Sequence, residues 1–189
     1  MEYSTLDKLG VRVSRLGFGC MRFPLTAEGK IDEPRAAAML DTAYKAGVTY
    51  YDTAYFYHQH TGEAFLGRAM KRYPRDTFYL ATKMPMSIVE SLDHAKEIFE
   101  GQLAALQTDY VDFYLLHAVN GERWKQAQEM GIVDFLLEMQ KAGRIRHFGF
   151  SFHGSYEEFE TILTARDWDF CQIQFNYMDQ EIQAGMRGY

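Results

Sequence analysis

Cysteine is nearly absent: Cys20 and Cys171 are the only two in 189 residues. They lie far apart and without CxxC spacing, which excludes a disulfide framework and a complete cysteine metal or cluster site. A reducing, cytoplasmic setting fits such a chain. No cluster of lysine or arginine interrupts a net charge of -6, so neither nucleic acid nor an anionic membrane surface is expected as a partner. No apolar run approaches the roughly 20 residues that span a bilayer, and Met1-Glu2-Tyr3-Ser4 lacks the basic-then-apolar layout of a signal peptide. The chain reads as soluble. It is also too short for two ordinary domains, so a single domain over residues 1–189 is expected.

What the chain does contain is an alternation of strand-like and helix-like text. Residues 3–13 hold two short alternating pieces around Leu9-Gly10, which predicts a β-hairpin. Gly17-x-Gly19 is only a fragment of a dinucleotide fingerprint, because no third glycine stands at Arg22 and no clear helix opens there. Asp32 as a cap, Pro34 in the first turn and Gly47 as a stop predict a helix over 33–46 with Met39, Leu40 and Ala43 inward. A short β-prone run, Tyr50-Tyr51-Asp52, then opens onto Thr53-Ala54-Tyr55-Phe56-Tyr57, with helical text from about Thr61. The pattern repeats. Strand Phe78–Lys83 is followed by a Ser87-x-x-Glu90 capping box and a helix through Ala95–Leu106. Strand Val111–His117 precedes helical text from about Glu122 to Ala142, interrupted near Gly131. Strand Arg146–Ser151 precedes a Ser155-x-x-Glu158 box and a helix to about Ala165, and strand Phe170–Asn176 closes the series. Five strands alternating with four helices predict βαβ crossovers and a parallel sheet.

Each of these strands ends on a polar group: Asp52, Lys83, His117, Ser151, and then Gln172, Gln174 and Asn176. In a parallel barrel such positions share one end, so residues some thirty apart in sequence can serve one pocket. The chemistry they suit is proton transfer. A tyrosine is a poor acid at neutral pH because its ordinary pKa is near 10, and a neighbouring ammonium, itself held by a carboxylate, favours the phenolate. Asp52, Lys83 and a phenol at Tyr55 or Tyr57 supply those parts, and His117 could orient a carbonyl oxygen. Such a set suits protonation of a developing alkoxide while hydride arrives from a nicotinamide. No metal is required.

Tyr51-Asp52-Thr53-Ala54-x-x-Tyr57, Ala81-Thr82-Lys83, Tyr114-Leu115-Leu116-His117, Gly149-Phe150-Ser151 and Gln172-Ile173-Gln174-Phe175-Asn176, in this order, resemble the motifs of the aldo-keto reductases. Leu16–Arg22 fits as well. The resemblance covers nearly all 189 residues. It implies an α/β fold, a (β/α)8 TIM barrel of aldo-keto reductase type, here incomplete with about five of eight βα units after the N-terminal hairpin. It implies Tyr57 as general acid/base, Lys83 and Asp52 as the groups that tune it, and His117 as the residue that positions the carbonyl. Ser151 and Gln172 would hydrogen-bond the nicotinamide carboxamide of NADPH, and the substrate would be a small aldehyde or ketone. Much of the family places Asn after the serine, whereas Phe152 and His153 follow here. Phe150-Ser151-Phe152-His153-Gly154 resembles a bacterial branch that often continues into a C-terminal iron-sulfur domain, for which this chain has no cysteines.

Two rival readings come from the same text. His58-x-His60 resembles the zinc pair of barrel hydrolases, yet it lies too far past Asp52, and the fifth strand has no histidine. A non-catalytic binding protein could also keep these strand ends. The loops after strands seven and eight, which in the family grip the cofactor phosphates, have no counterpart, so the chain is expected to be truncated and, alone, to bind NADPH weakly or not at all. Unpaired first and last strands would further invite self-association.

Overall fold

The computed structural model describes residues 1–189. Hairpin strands β1 (Tyr3–Leu6) and β2 (Val11–Ser14) pair antiparallel, from Tyr3 opposite Ser14 to Leu6 opposite Val11. Their turn closes on Gly10 at φ 66°, a left-handed conformation that glycine adopts without steric cost. Six further strands form one sheet in sequence order: β3 (Phe18–Gly19), β4 (Tyr50–Asp52), β5 (Tyr79–Met84), β6 (Val111–Val119), β7 (Ile145–Phe152) and β8 (Phe170–Gln172). Pairing is parallel at β3–β4, β4–β5 and β7–β8. Helices α1 (Glu33–Lys45), α2 (Gly62–Met70), α3 (Leu92–Leu106), α4 (Gly121–Glu129), α5 (Ile132–Lys141), α6 (Tyr156–Thr164) and the short α7 (Gly185–Gly188) lie between or after them. No helix is long and apolar enough to cross a membrane.

Several expectations need correction. The parallel sheet has six strands where five were expected, because Phe18–Gly19 pairs with Tyr51 and Asp52. Two residues are too few to carry a period-2 pattern. Strand β8 stops at Gln172 instead of running to Asn176. Asn176 instead closes a turn, its Oδ1 accepting the N–H groups of Met178 and Asp179 at 2.8 and 3.1 Å. The start of α3 is set by Ser91, whose Oγ accepts the His94 N–H at 3.1 Å, and not by the Ser87 box. Met39 is 43% exposed while Leu40 is fully buried, so α1 turns a narrower face inward than its apolar residues suggest. The break between α4 and α5 does fall at Gly131, at φ 71°.

By contacts the chain divides into two compact units, residues 1–82 with 99–113, and residues 83–98 with 114–189. In the first, the hairpin is tied down where Ser14 and Thr49 exchange backbone-to-hydroxyl hydrogen bonds at 2.9 Å each. Asp112 is fully buried, ion-paired to Arg75 at 2.6 Å, and accepts the Leu80 N–H at 2.9 Å. Arg75 also donates to the Phe78 and Tyr110 carbonyls, so the buried charge is satisfied on all sides, the condition under which it is tolerated. This bolt locks the early residues of β5 to those of β6.

The second unit packs Trp124, Phe148, Phe150 and Trp168 into one aromatic cluster, with centroids 4.9–5.5 Å apart. The Ser155 box forms as the sequence predicts. Glu158 also accepts the Gly121 N–H at 2.9 Å, so one carboxylate caps two helix starts. Those backbone hydrogen bonds, Ser155 first and Gly121 second, hold its carboxyl below the usual range.

Candidate active site

In the first unit, Asp52 is the last residue of β4, and the Thr53 N–H continues the ladder to the Ala81 carbonyl at 2.9 Å. The chain then turns sharply, with the Tyr57 N–H donating to Ala54 and the Gly62 N–H to the Tyr57 carbonyl. Three consecutive non-glycine residues, His58, Gln59 and His60, hold φ of 52°, 56° and 68° to make that turn. Such residues at positive φ mark a segment whose path is imposed by its surroundings. A Cβ at Gly62 would lie 3.0 Å from the Tyr57 carbonyl oxygen, a tight contact that glycine avoids.

Tyr55 packs edge-on against Phe56 and His60, which assigns it to a small aromatic cluster, whereas Tyr57 stands half-buried at the turn. The Nε2 of His58 lies 3.0 Å from the Cys20 carbonyl and 3.3 Å from the Phe23 N–H, so this ring staples the turn to the segment after β3. No group of three potential metal ligands is brought together. Thr82 donates to Glu63, which also accepts from Gln102 at 2.8 Å. This buried trio, immediately before Lys83 in the chain, escaped the sequence reading because Glu63 sits in ordinary helical text.

In the second unit, Lys83 is 2% exposed near the end of β5. His117 lies towards the end of β6, and Ser151 and Gln172 sit opposite one another at the ends of β7 and β8. Burial pushes the His117 imidazole down to about 4, and the charges of Lys83, His153 and Arg123 add to the effect. At neutral pH the ring is uncharged. Ala118 follows it at φ 50°; its N–H donates to the Ser151 Oγ at 2.8 Å and its carbonyl accepts from the Arg123 Nη1 at 2.6 Å. The His153 N–H reaches the Val119 carbonyl at 3.1 Å. Ser151, 5% exposed, therefore bridges β6 and β7, and Gln172 carries an exposed amide beside it in register. Gln174 lies past the strand in the Asp179 turn.

The second unit thus brings together Lys83, His117, Ser151 and Gln172 at consecutive strand ends, and the first brings Asp52 and Tyr57 to one strand-to-turn junction. Arg123 and His153 were missed as neighbours of His117. His153 was noted only as following Ser151 and Phe152, and Arg123 lay inside helical text. Its one signal is its place just after Asn120, whose Oδ1 caps α4 by accepting the Arg123 N–H at 3.0 Å.

The model of the Aldo/keto reductase family matches residues 15–188. The aldo-keto reductase YhdN of Bacillus subtilis (strain 168) is 29% identical over 199 residues, covering 100% of this chain and 58% of its own length. Norsolorinic acid reductase stcV of Emericella nidulans is 32% identical over 160 residues, 75% of this chain and 40% of its own. Among solved structures, the holo form of an aldo-keto reductase from Bacillus halodurans is 30% identical with a TM-score of 0.75, covering 92% of this chain and 57% of that one. The chain spans about half the length of the curated relatives it matches.

Proposed function

Since the chain belongs to the Aldo/keto reductase family, we propose that it reduces an aldehyde or ketone to the alcohol with hydride from NADPH. The observation that carries this reading is the set of polar side chains at consecutive strand ends, Asp52, Lys83, His117, Ser151 and Gln172, within the family match; among them the imidazole of His117, lowered to about 4 by burial, is uncharged at pH 7. It keeps an N–H that can orient a carbonyl oxygen, and the proton must come from another group. Tyr57 fills that role, donating its O–H to the carbonyl oxygen as negative charge builds there. The ammonium of Lys83 stabilises the phenolate left behind, and Asp52 positions the ammonium.

The residues at the ends of β7 and β8 suit a carboxamide. A carboxamide needs a donor and an acceptor side by side; the exposed Gln172 amide offers both, and the Ser151 hydroxyl, which already accepts the Ala118 N–H, stands opposite it in register. NADPH bound there would supply the hydride to the carbonyl carbon. Burial of Lys83 keeps water from competing for its charge. The test is to mix purified protein with NADPH and a panel of small aldehydes and ketones, following nicotinamide absorbance and alcohol together. One alcohol formed per NADPH consumed is expected; no oxidation with any carbonyl compound would overturn the proposal.

A further inference from the structure

Arg123 is a cation for which the fold provides no carboxylate. Its guanidinium makes a single hydrogen bond, from Nη1 to the Ala118 carbonyl at 2.6 Å, and no ion pair. An arginine offers five N–H donors in a planar fork, so most of its capacity is unspent. It stands in the first turn of α4, where the helix dipole favours an anion and a cation is out of place. The guanidinium there is left with donors that only an anion from outside the chain could satisfy.

Arg123 lines a cavity of about 380 Å³ together with Met86, Ser87, Glu122 and Gln126. The Gln126 Nε2 is already committed to the Val89 carbonyl at 2.8 Å. Ser87 presents an exposed hydroxyl from the loop that follows Lys83 along the chain. Glu122 is exposed on the same cavity but forms no ion pair with Arg123. The Ala118 carbonyl that holds the guanidinium directly follows His117 in the chain, which ties this side of the cavity to the end of β6. The charge of Arg123 is also felt at the His117 ring.

We propose that this cavity takes a carboxylate on the substrate, held by the Arg123 fork and the Ser87 hydroxyl, so that the preferred carbonyl compounds are oxo acids and aldehyde acids. The planar guanidinium matches a carboxylate through two parallel hydrogen bonds, which a neutral substrate cannot make. The chain as a whole carries a net charge of -6 and does not attract anions generally, so the selectivity is local to this cavity. The proposal rests on the reductase reading above for the position of the reacting carbonyl. A cofactor phosphate is the other anion that the same fork could hold.

Benzaldehyde and 4-carboxybenzaldehyde differ only in the carboxylate, and the test compares the two in wild type, Arg123→Gln and Arg123→Lys at saturating NADPH. The ratio of kcat/KM for the acid to that for the neutral aldehyde is expected to fall about tenfold or more in Arg123→Gln, mostly through KM, and to recover in part in Arg123→Lys. An unchanged ratio overturns the proposal. So does a loss that falls on the NADPH Kd, read from nicotinamide fluorescence, since the anion would then belong to the cofactor. If neither aldehyde oxidises NADPH, the reductase reading passes to the wider carbonyl panel, and calorimetric titration with 4-(hydroxymethyl)benzoate against benzyl alcohol still decides the cavity. Binding of the acid alone, lost in Arg123→Gln, upholds it; equal binding or none by both alcohols sinks it.

Discussion

At the scale of single residues, His117 carries the sharpest consequence. Its folded-state pKa of about 4 lies below the ordinary value near 6.5, so the unfolded chain takes up the proton first as the solution is acidified. The stability contributed by the neutral ring is therefore fully present above about pH 6.5 and is lost progressively as pH falls towards 4. Chemical denaturation of wild type and His117→Gln across that window is expected to show wild type losing about 3 kcal/mol more than the variant between the two ends. Parallel curves would mean that the ring is not held neutral. Asp52, Lys83, His117, Ser151 and Gln172 could be singled out from the sequence because each is a polar side chain at or near the end of an apolar strand, a contrast visible without coordinates, whereas Tyr57 lies in the turn past β4 and was chosen by resemblance. Arg123 could not be read in this way, since a basic residue within helical text resembles any solvated surface charge.

At the scale of elements, the ends that carry the site depend on close backbone approach. Gly149 pairs with Phe170, and a Cβ at that position would come within 2.3 Å of the Phe170 carbonyl oxygen. Backbone cannot retreat as a flexible side chain can, so Gly149→Ala is expected to cost about 1–3 kcal/mol and to loosen the pairing that sets Ser151 beside Gln172. Thermal unfolding measures the cost, and an unchanged Tm would contradict the register of β7 and β8. Helix starts were legible where the cap was the first polar residue before the periodic text, as at Asp32 and Ser155. The start of α3 was less legible, because Ser87-x-x-Glu90 has the full capping-box pattern whereas Ser91, which has no Glu or Gln three residues on, is the residue that accepts the His94 N–H. Strands β3 and β8 were misjudged for a related reason: two- and three-residue strands are defined by their neighbours more than by their own sequence.

At the scale of the whole molecule, strand-helix alternation was enough to predict a parallel sheet, and the strand order β3 to β8 follows the sequence order that successive βαβ units produce. The family match extends over both compact units, residues 15–188. The central claim is functional, that Tyr57 and Lys83 work as one proton-donating unit. A double-mutant cycle tests it most directly, using single-turnover reduction of an aldehyde by wild type, Tyr57→Phe, Lys83→Met and the double variant. Each single change is expected to slow the chemical step by about 10²-fold or more, and the double variant to be hardly slower than either single. Losses that multiply across the double variant, or a Tyr57→Phe protein that still turns over at the wild-type rate, would contradict the account.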